Sequence, residues 1–442
     1  MAVLDTVKAL SDKLDASQSR LDVLDRAYAG KQGLALASAA FQKAYDGRLG
    51  GLTSNFMRLV VDSVAERLAV TGFRMAGATE ADSRAWGLFQ ASNLDESSQL
   101  AHTEALIHGR SFLSVWARPD GNARIAVESA RQMIVQHDPG TGARTAALKL
   151  WRADGYGFAT LYLPDEIHRM RSATKLAEGV PAVSWELRGP TVANPLGVVP
   201  VVGLVNRGRL LDLEQGASEL DAVMPMQDLL NRALADIVVA AEHASLPRRF
   251  ATGLEIETDP ETGQPIEPFD PAGRLWLAES EGAKFGAFPA ADVTALLGIV
   301  EMAVQHIGSL SATPPHYLLP HAGGQAASAE SIKSSEASLV AKVRRRMLAF
   351  GSAWEEAMRL ALAIQLGGIP AGAESMETVW ADPETRSLGQ VADAALKKKE
   401  LGIPFRQLAE DMGYSPVQVE RMLAERREDS AGLDLRSILG AA

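Results

Sequence analysis

The chain has 442 residues, 47% of them hydrophobic and 22% charged, and a formal charge of −11. Those values belong to a globular chain long enough for several structural regions, and they exclude wholesale disorder. The acidic balance argues against a surface that embraces nucleic acid, and the absence of cysteine excludes disulfides, thiolate-held zinc and thiol catalysis.

The opening "MAVLDTVKALSDKLD" has no cationic start followed by an apolar core, so no signal peptide is expected. The most apolar run, "LGVVPVVGLV" at 196–205, is too short to span a bilayer and contains Pro200. The expectation is a soluble chain, cytoplasmic at synthesis, with no membrane partner.

In chain order, Leu4, Val7, Leu10, Leu14, Leu21 and Leu24 recur at helical spacing. Phe56, Leu59, Val60, Val64 and Leu68 repeat the pattern over 53–74, with Gly72 as the expected stop. A further helix is expected across Ala81–Gly109. The character then changes to β. "SFLSVWARPDGNARIAVES" sets β-formers on both sides of a Pro-Asp-Gly turn, and "DPGTG" and "ADGYG" break further short strands. Residues 111–205 read as a mostly antiparallel β region.

Helical spacing returns with Val223, Met226, Leu230, Leu234, Ile237 and Ala241, and ends at "SLP". Residues 248–289 are rich in Pro, Gly and acids, with strand-like pieces near Leu254–Glu257 and Arg274–Ala278. A helix at 290–310 follows, and then "LSATPPHYLLPHAGGQAASA", twenty residues without a single Lys, Arg, Asp or Glu. Long loops of this kind in compact chains are functional or disordered. Beyond it, Ile332, Leu339, Val343, Met347, Phe350, Trp354, Met358 and Ala361 predict a helix over 329–366, about 50–60 Å long, with Ser328 as its N-cap. The remainder reads as shorter helices with a loose tail from Glu428.

Motifs for catalysis are missing: no P-loop, no H-E-x-x-H and no G-x-S-x-G. "GYGFAT" at 155–160 lacks a third glycine and reads as a hairpin. His102 and His108, six apart, suit different helix faces and read as ordinary polar residues. His316 and His321 flank the tip of the uncharged loop with no carboxylate nearby in sequence. No catalytic residue, metal site or cofactor is expected. The basic runs at Lys342–Arg346 and Lys397–Lys399 read first as solvated helix faces. In the first of them, Lys342, Arg344, Arg345 and Arg346 alternate with the apolar stripe and are candidates to face a neighbouring subunit or a polyanion.

"LGIPFRQLAEDMGYSPVQVERMLAER" at 401–426 has the layout of a helix-turn-helix. Its second helix offers Gln418, Glu420 and Arg421, and residues 384–442 hold nine basic and ten acidic side chains, a poor balance for binding phosphates.

The ordered set "SNFMRLVVDSVAERLAVTGFR", "ALIHGRSFLSVWARPDGNARIAVESARQMIVQHDP", "SELDAVMPMQDLLNRALADIVVAAEHASLPRRFATG" and "ATPPHYLL…SAESIKSSEASLVAKVRRRM" resembles the portal proteins of tailed bacteriophages, in the branch of siphophages and actinobacterial phages. The resemblance covers roughly residues 20–415. It implies an α+β, helix-rich, ring-forming portal-type fold. The parts would be a wing (1–215), a first stem helix (216–246), a clip (247–289), a second stem helix (290–311), a tunnel loop (312–328), a long spine helix (329–368) and a crown with a C-terminal tail (369–442).

It also implies a non-enzymatic ring, usually of twelve copies, at the capsid vertex of the virion, assembled in the host cytoplasm. Double-stranded DNA would pass through without sequence specificity. The implied partners are the terminase large subunit, the major capsid protein, a scaffolding protein and a head-completion adaptor. Pro315, His316, Tyr317, Leu318, Leu319, His321, Gly323, Gly324 and Gln325 would face the DNA, and Glu255, Glu257, Asp259, Glu261, Glu267 and Asp270 would lie in the motor-docking clip. A loop without cations would touch DNA without gripping it, as a passive gasket. The rival readings are a regulator using 401–426, an enzyme whose site is lidded by 312–328, and an adaptor of another ring assembly.

Overall fold

The computed structural model describes residues 3–34, 53–75, 77–78, 80–176, 184–207, 209–210, 213–245, 249–253, 260, 282, 284–287, 293–319, 329–384 and 388–439. It divides into two units, residues 1–32, 55–225 and 306–442 in the first, and residues 33–54 and 226–305 in the second.

The first unit begins with α1 (Val3–Tyr28), whose apolar stripe, Val7, Leu10 and Leu14, is buried against Leu148, Ala159, Leu161 and Met170. Leu21, further along, joins Phe112, Met133, Val199 and Val201 in a second cluster. Helix α2 (Phe56–Ala65) ends before the expected stop. Val70–Arg74 leaves the helical pattern and becomes β1, paired antiparallel with β13 (Glu377–Trp380). Gly72 therefore sits inside a strand: the β-formers Val70, Thr71 and Phe73 find a partner strand that lies some 300 residues away in sequence.

The helix expected across Ala81–Gly109 is two helices, α3 (Ser83–Ala91) and α4 (Leu94–His108). Asp82 caps α3 by accepting from the Arg84 and Ala85 amides at 2.9 and 2.8 Å. Asn93 makes the break between the two in the left-handed region, with φ 57°.

The β region is antiparallel throughout, as expected, but forms two sheets. One, ordered β10-β2-β3, joins Val201–Val205, Arg110–Ala117 and Ala123–Ser129. The other runs β4 (Met133–His137), β5 (Arg144–Ala153), β6 (Tyr156–Tyr162), β7 (Glu166–Ser172) and β8 (Trp185–Leu187), with β9 (Val192–Ala193) also on β7. "ADGYG" is the β5–β6 hairpin: Ala153 pairs with Tyr156, and Asp154 and Gly155 both take positive φ, 53° and 77°.

Helix α5 (Met224–Ser245) leads into the second unit, which holds the paired strands β11 (Arg249–Thr252) and β12 (Lys284–Ala287) and the start of α6 (Thr294–Ser311). The strand-like pieces expected at 254–257 and 274–278 lie outside the described residues, as does Ser328. Back in the first unit come a short turn of helix, α7 (Pro315–Leu318), and then α8 (Ala329–Leu366), whose 38 residues span about 57 Å at 1.5 Å per residue. Its buried stripe, Val343, Met347, Phe350, Trp354 and Ala361, carries the apolar spacing seen in sequence. Helices α9 (Leu388–Glu400), α10 (Phe405–Asp411) and α11 (Pro416–Leu439) close the chain. The fold is α+β, helix-rich with small antiparallel sheets. Among the described residues no helix is long and apolar enough to cross a membrane.

Candidate functional site

The uncharged segment leaves α6 through a tight, hydrogen-bonded root. Ser311 Oγ donates to Ile307 O at 2.6 Å, and the Thr313 amide returns to Gly308 O at 3.0 Å. Pro314 and Pro315 then start α7. A β-carbon on Gly308 would come within 2.8 Å of Leu318 Cδ1, so this glycine is what lets Leu318 sink against α6.

Tyr317 closes the arrangement. Its hydroxyl accepts from Arg67 Nη2 at 2.6 Å and donates to Glu336 Oε1 at 2.9 Å, while Arg67 and Glu336 lie 3.5 Å apart with 11% and 7% of their side chains exposed. Burial pushes the Tyr317 hydroxyl above its usual pKa, and the bond to Glu336 adds to that against the opposing pull of Arg67. The His316 ring stands edge-on to Tyr317, with Nδ1 3.3 Å from Ser335 Oγ and Nε2 3.7 Å from Glu336 Oε1.

This corrects the expectation of an open loop from 312 onward. Pro315–Leu318 is helical, and Tyr317 and Leu318 are docked on their own chain; Leu319 is 40% exposed. Sequence reading saw no carboxylate near His316, because Glu336 is brought there by α8 from twenty residues away. His321, Gly323, Gly324 and Gln325 lie outside the described residues, as do Glu255, Glu257, Asp259, Glu261, Glu267 and Asp270.

The basic run of α8 divides by helix face. Lys342 and Arg346, four residues apart, point to the same side and enclose Glu219: Lys342 Nζ is 2.5 Å from Oε2 and Arg346 Nη2 is 2.7 Å from Oε1. Lys342 also donates to Ser311 O at 2.8 Å, and so ties the end of α6 to α8. Burial alone would raise the Glu219 carboxyl, but Lys342 and then Arg346 outweigh it and hold its pKa below the usual value. The expectation that Lys342 and Arg346 face another subunit or a polyanion is thereby corrected: their charge is met inside the chain. Arg344 pairs with Glu384 at 2.7 Å on the exposed side. Arg345 is exposed and makes no ion pair among the described residues.

The helical pair at 401–426 is real. Gly413 turns it at φ 95°, and Ser415 and Gln418 form a reciprocal capping box at the start of α11. Its charges are spent locally, Arg406 on Glu420 and Glu80, Arg421 on Glu425, Lys398 on Asp411, and Arg74 on Glu410, its Nη2 reaching both carboxylate oxygens. That leaves little to bind phosphates.

The enzyme reading finds as little. A groove of about 610 Å³, lined by Trp116, Leu196, Val198, Leu360 and Ile364, has Glu356 and Arg359 as its ionisable residues, and Glu356 is paired with Arg144. Among the described residues no group of three or more His, Asp or Glu is placed to hold a metal ion. His102 and His108 are both buried.

Residues 7–430 match the family described as phage portal protein, SPP1 Gp6-like. The portal proteins of Mycobacterium phages D29 and L5 are each 38% identical to this chain, over 403 and 402 residues, covering 86% of it and 80% of each relative. Among solved structures, the neck of an empty GTA particle computed with C6 symmetry matches at TM-score 0.47 and 15% identity, over 84% of this chain and 93% of that one. The neck of a native GTA particle computed with C12 symmetry matches at TM-score 0.43 and 14% identity, over 84% and 91%.

Proposed function

The chain belongs to the SPP1 Gp6-like phage portal proteins, and on that premise we propose that its copies close into a ring, of twelve, whose channel passes double-stranded DNA into and out of a capsid. The observation that carries this reading is the extent of the family match, which runs through both units rather than one borrowed module. The ring would sit at the portal vertex of the virion after assembly in the host cytoplasm, as a conduit rather than a catalyst. Residues 1–215 would be the wing, 216–246 and 290–311 the stem helices, 247–289 the clip, 312–328 the tunnel loop, 329–368 the spine and 369–442 the crown with its tail.

The chemistry of the segment after α6 fits that role. From His306 to Leu319 there is no Lys, Arg, Asp or Glu, so a loop continuing from this root offers a passing duplex no phosphate grip. The formal charge of −11 per copy repels DNA from the walls and favours sliding. The Arg67–Tyr317–Glu336 bridge supports a fixed base for such a loop. Eight acids against four bases across 247–289 would give the clip a negative face toward the terminase large subunit and later the head-completion adaptor, while the wing would meet capsid and scaffolding proteins.

The test is the native mass of the purified chain with negative-stain images, alone and with its scaffolding protein. A ring of 47.1 kDa copies with a central hole is expected. A monomer or dimer at every salt concentration, with and without scaffold, overturns the reading.

A further inference from the structure

The sheet that packs on α1 has a second face that the channel does not explain. Cross-strand register sets Trp151 opposite Phe158, Phe158 opposite Arg171, and Arg171 opposite Glu186. Two residues along, Lys149 faces Thr160 and Thr160 faces Arg169. The α1 side of the same strands is Leu148, Ala159, Leu161 and Met170, so the cations and rings all lie on the opposite side.

There the rings serve as platforms for the cations. Trp151 and Phe158 stack at 5.5 Å and 15°. Arg171 lies 4.7 Å and Lys175 5.8 Å from the Tyr156 centroid, Arg188 5.3 Å from Phe158, and Lys149 5.6 Å from Trp151. Lys149 is committed to Glu128 at 2.6 Å. Arg169, Arg171, Lys175 and Arg188 are exposed, and no ion pair joins any of them to a described residue, even though Glu186 stands opposite Arg171. In this acidic chain the arginines around Glu219, Glu336 and Glu410 are all matched. Arg345 on α8 is unpaired as well, but these four cations lie together on one sheet face.

A guanidinium laid on an aromatic ring is held in place and weakly hydrated, and its N–H edge stays open for a planar, two-oxygen acceptor. The rings carry cations and one another, so they are poor platforms for nucleobases. A long duplex would feel the repulsion of the whole chain, whereas a short acidic segment senses charge only within about 8–10 Å at physiological salt. We propose that this face, built on Arg169, Arg171, Lys175 and Arg188, is the docking surface for a carboxylate-rich segment of a partner protein. The proposal stands on the sheet alone and does not depend on a ring or a channel.

The test uses the full chain and two labelled probes matched in charge, a poly-glutamate peptide and a DNA duplex, followed by fluorescence anisotropy over a salt series. The peptide should bind with a steep salt dependence. Arg171→Glu and Arg188→Glu should each weaken it by about tenfold, as loss of one well-placed charge pair does. Arg345→Glu, an equal charge change on α8, should leave it unchanged, and unfolding midpoints of all three variants should match the parent. Duplex binding lost in the same variants without peptide binding would assign the face to nucleic acid and overturn the proposal. So would no binding of either probe, or peptide binding weakened equally by Arg345→Glu.

Discussion

The indole N–H of Trp354 donates to Nε2 of His102 across 2.9 Å, and neither side chain is exposed to solvent. One turn earlier on α8, Phe350 lies flat on the same imidazole at 5.4 Å and 10°. An Nε2 that accepts cannot carry a proton, so this histidine is neutral, and burial pushes its pKa down to about 3. The folded pKa is below the ordinary 6.5, so the stability it supports is complete above 6.5 and drains away as pH falls toward 3. The slope approaches about 1.4 kcal/mol per pH unit inside that window. In urea unfolding between about pH 4 and 8, the stability gap between the parent and His102→Phe should be constant at the top and shrink on acidification. A gap independent of pH would contradict a neutral His102.

His108 should behave with the opposite sign. It is buried between Glu104, 2.6 Å from Nδ1, and Asp25, 2.8 Å from Nε2, and Asp25 also binds Arg131. Burial alone would lower its pKa, but Glu104 and then Asp25 outweigh that and raise it above 6.5. Its contribution is therefore full below 6.5 and is lost as pH rises through the raised folded value. Because Asp25 sits on α1 and His108 on α4, the loss should loosen α1. The gap between the parent and His108→Gln should narrow on the alkaline side, and hydrogen exchange in α1 should rise with it.

Glu219→Gln removes the one anion that Lys342 and Arg346 share. Both cations keep 15% or less of their side chains exposed, so the variant leaves two buried charges without a counter-ion. The expected cost is about 3–5 kcal/mol in chemical denaturation. Replacing Glu219, Lys342 and Arg346 together by methionine should cost less than Glu219→Gln does, since no buried charge then remains without a counter-ion. The opposite ranking would mean the triad is more open to water than its geometry indicates.

Much of the architecture was legible in local pattern. The long helix is Ala329–Leu366 because its apolar spacing never lapses until Gly367, and the hairpin at Asp154–Gly155 follows from residues that accept positive φ. What could not be read is what distance in sequence hides. Val70–Arg74 looked helical because nothing local reveals its partner at Glu377–Trp380. Lys342 and Arg346 looked like a solvated face because Glu219 lies more than a hundred residues upstream. Tyr317 looked like a loop-tip aromatic, although its partners are Arg67 and Glu336. Each of these three misses concerns a partner distant in sequence, which local pattern does not show.

Gly216 is a case in which the sequence shows a glycine but not its reason. Its φ is +67°, and a β-carbon there would lie 1.9 Å from the carbonyl oxygen of Gly109, itself at φ +84°. Two backbones touch with no room for a side chain between them. Gly216→Ala should destabilise by about 2–4 kcal/mol, combining left-handed strain with a clash that only backbone movement relieves. Gly142→Ala, at φ +70° with nothing within 4 Å, serves as the control. It should cost only the conformational part, about 1 kcal/mol. Equal losses for the two would show that the contact with Gly109 does not matter.

Tyr317→Phe tests the base of the uncharged loop. The ring and its packing survive, and only the oxygen that bridges Arg67 and Glu336 is lost. Those two remain 3.5 Å apart and can close directly, so the global cost should be modest, about 1–2 kcal/mol. The local effect should be larger. The turn Pro315–Leu318 is held by the Tyr317 amide on Pro314 O and the Leu319 amide on Pro315 O, both at 3.0 Å, and by the side-chain bridge beneath them. With the bridge gone, exchange at those two amides should quicken while the amides of Val343 to Phe350 in α8 stay protected. Glu336→Gln keeps an oxygen for the hydroxyl but takes the carboxylate charge away from Arg67, and should lower global stability more than Tyr317→Phe while quickening the two amides less. If Tyr317→Phe leaves both amides as slow as in the parent, the bridge does not anchor the turn, and the burial of Leu318 beside Gly308 must hold it alone.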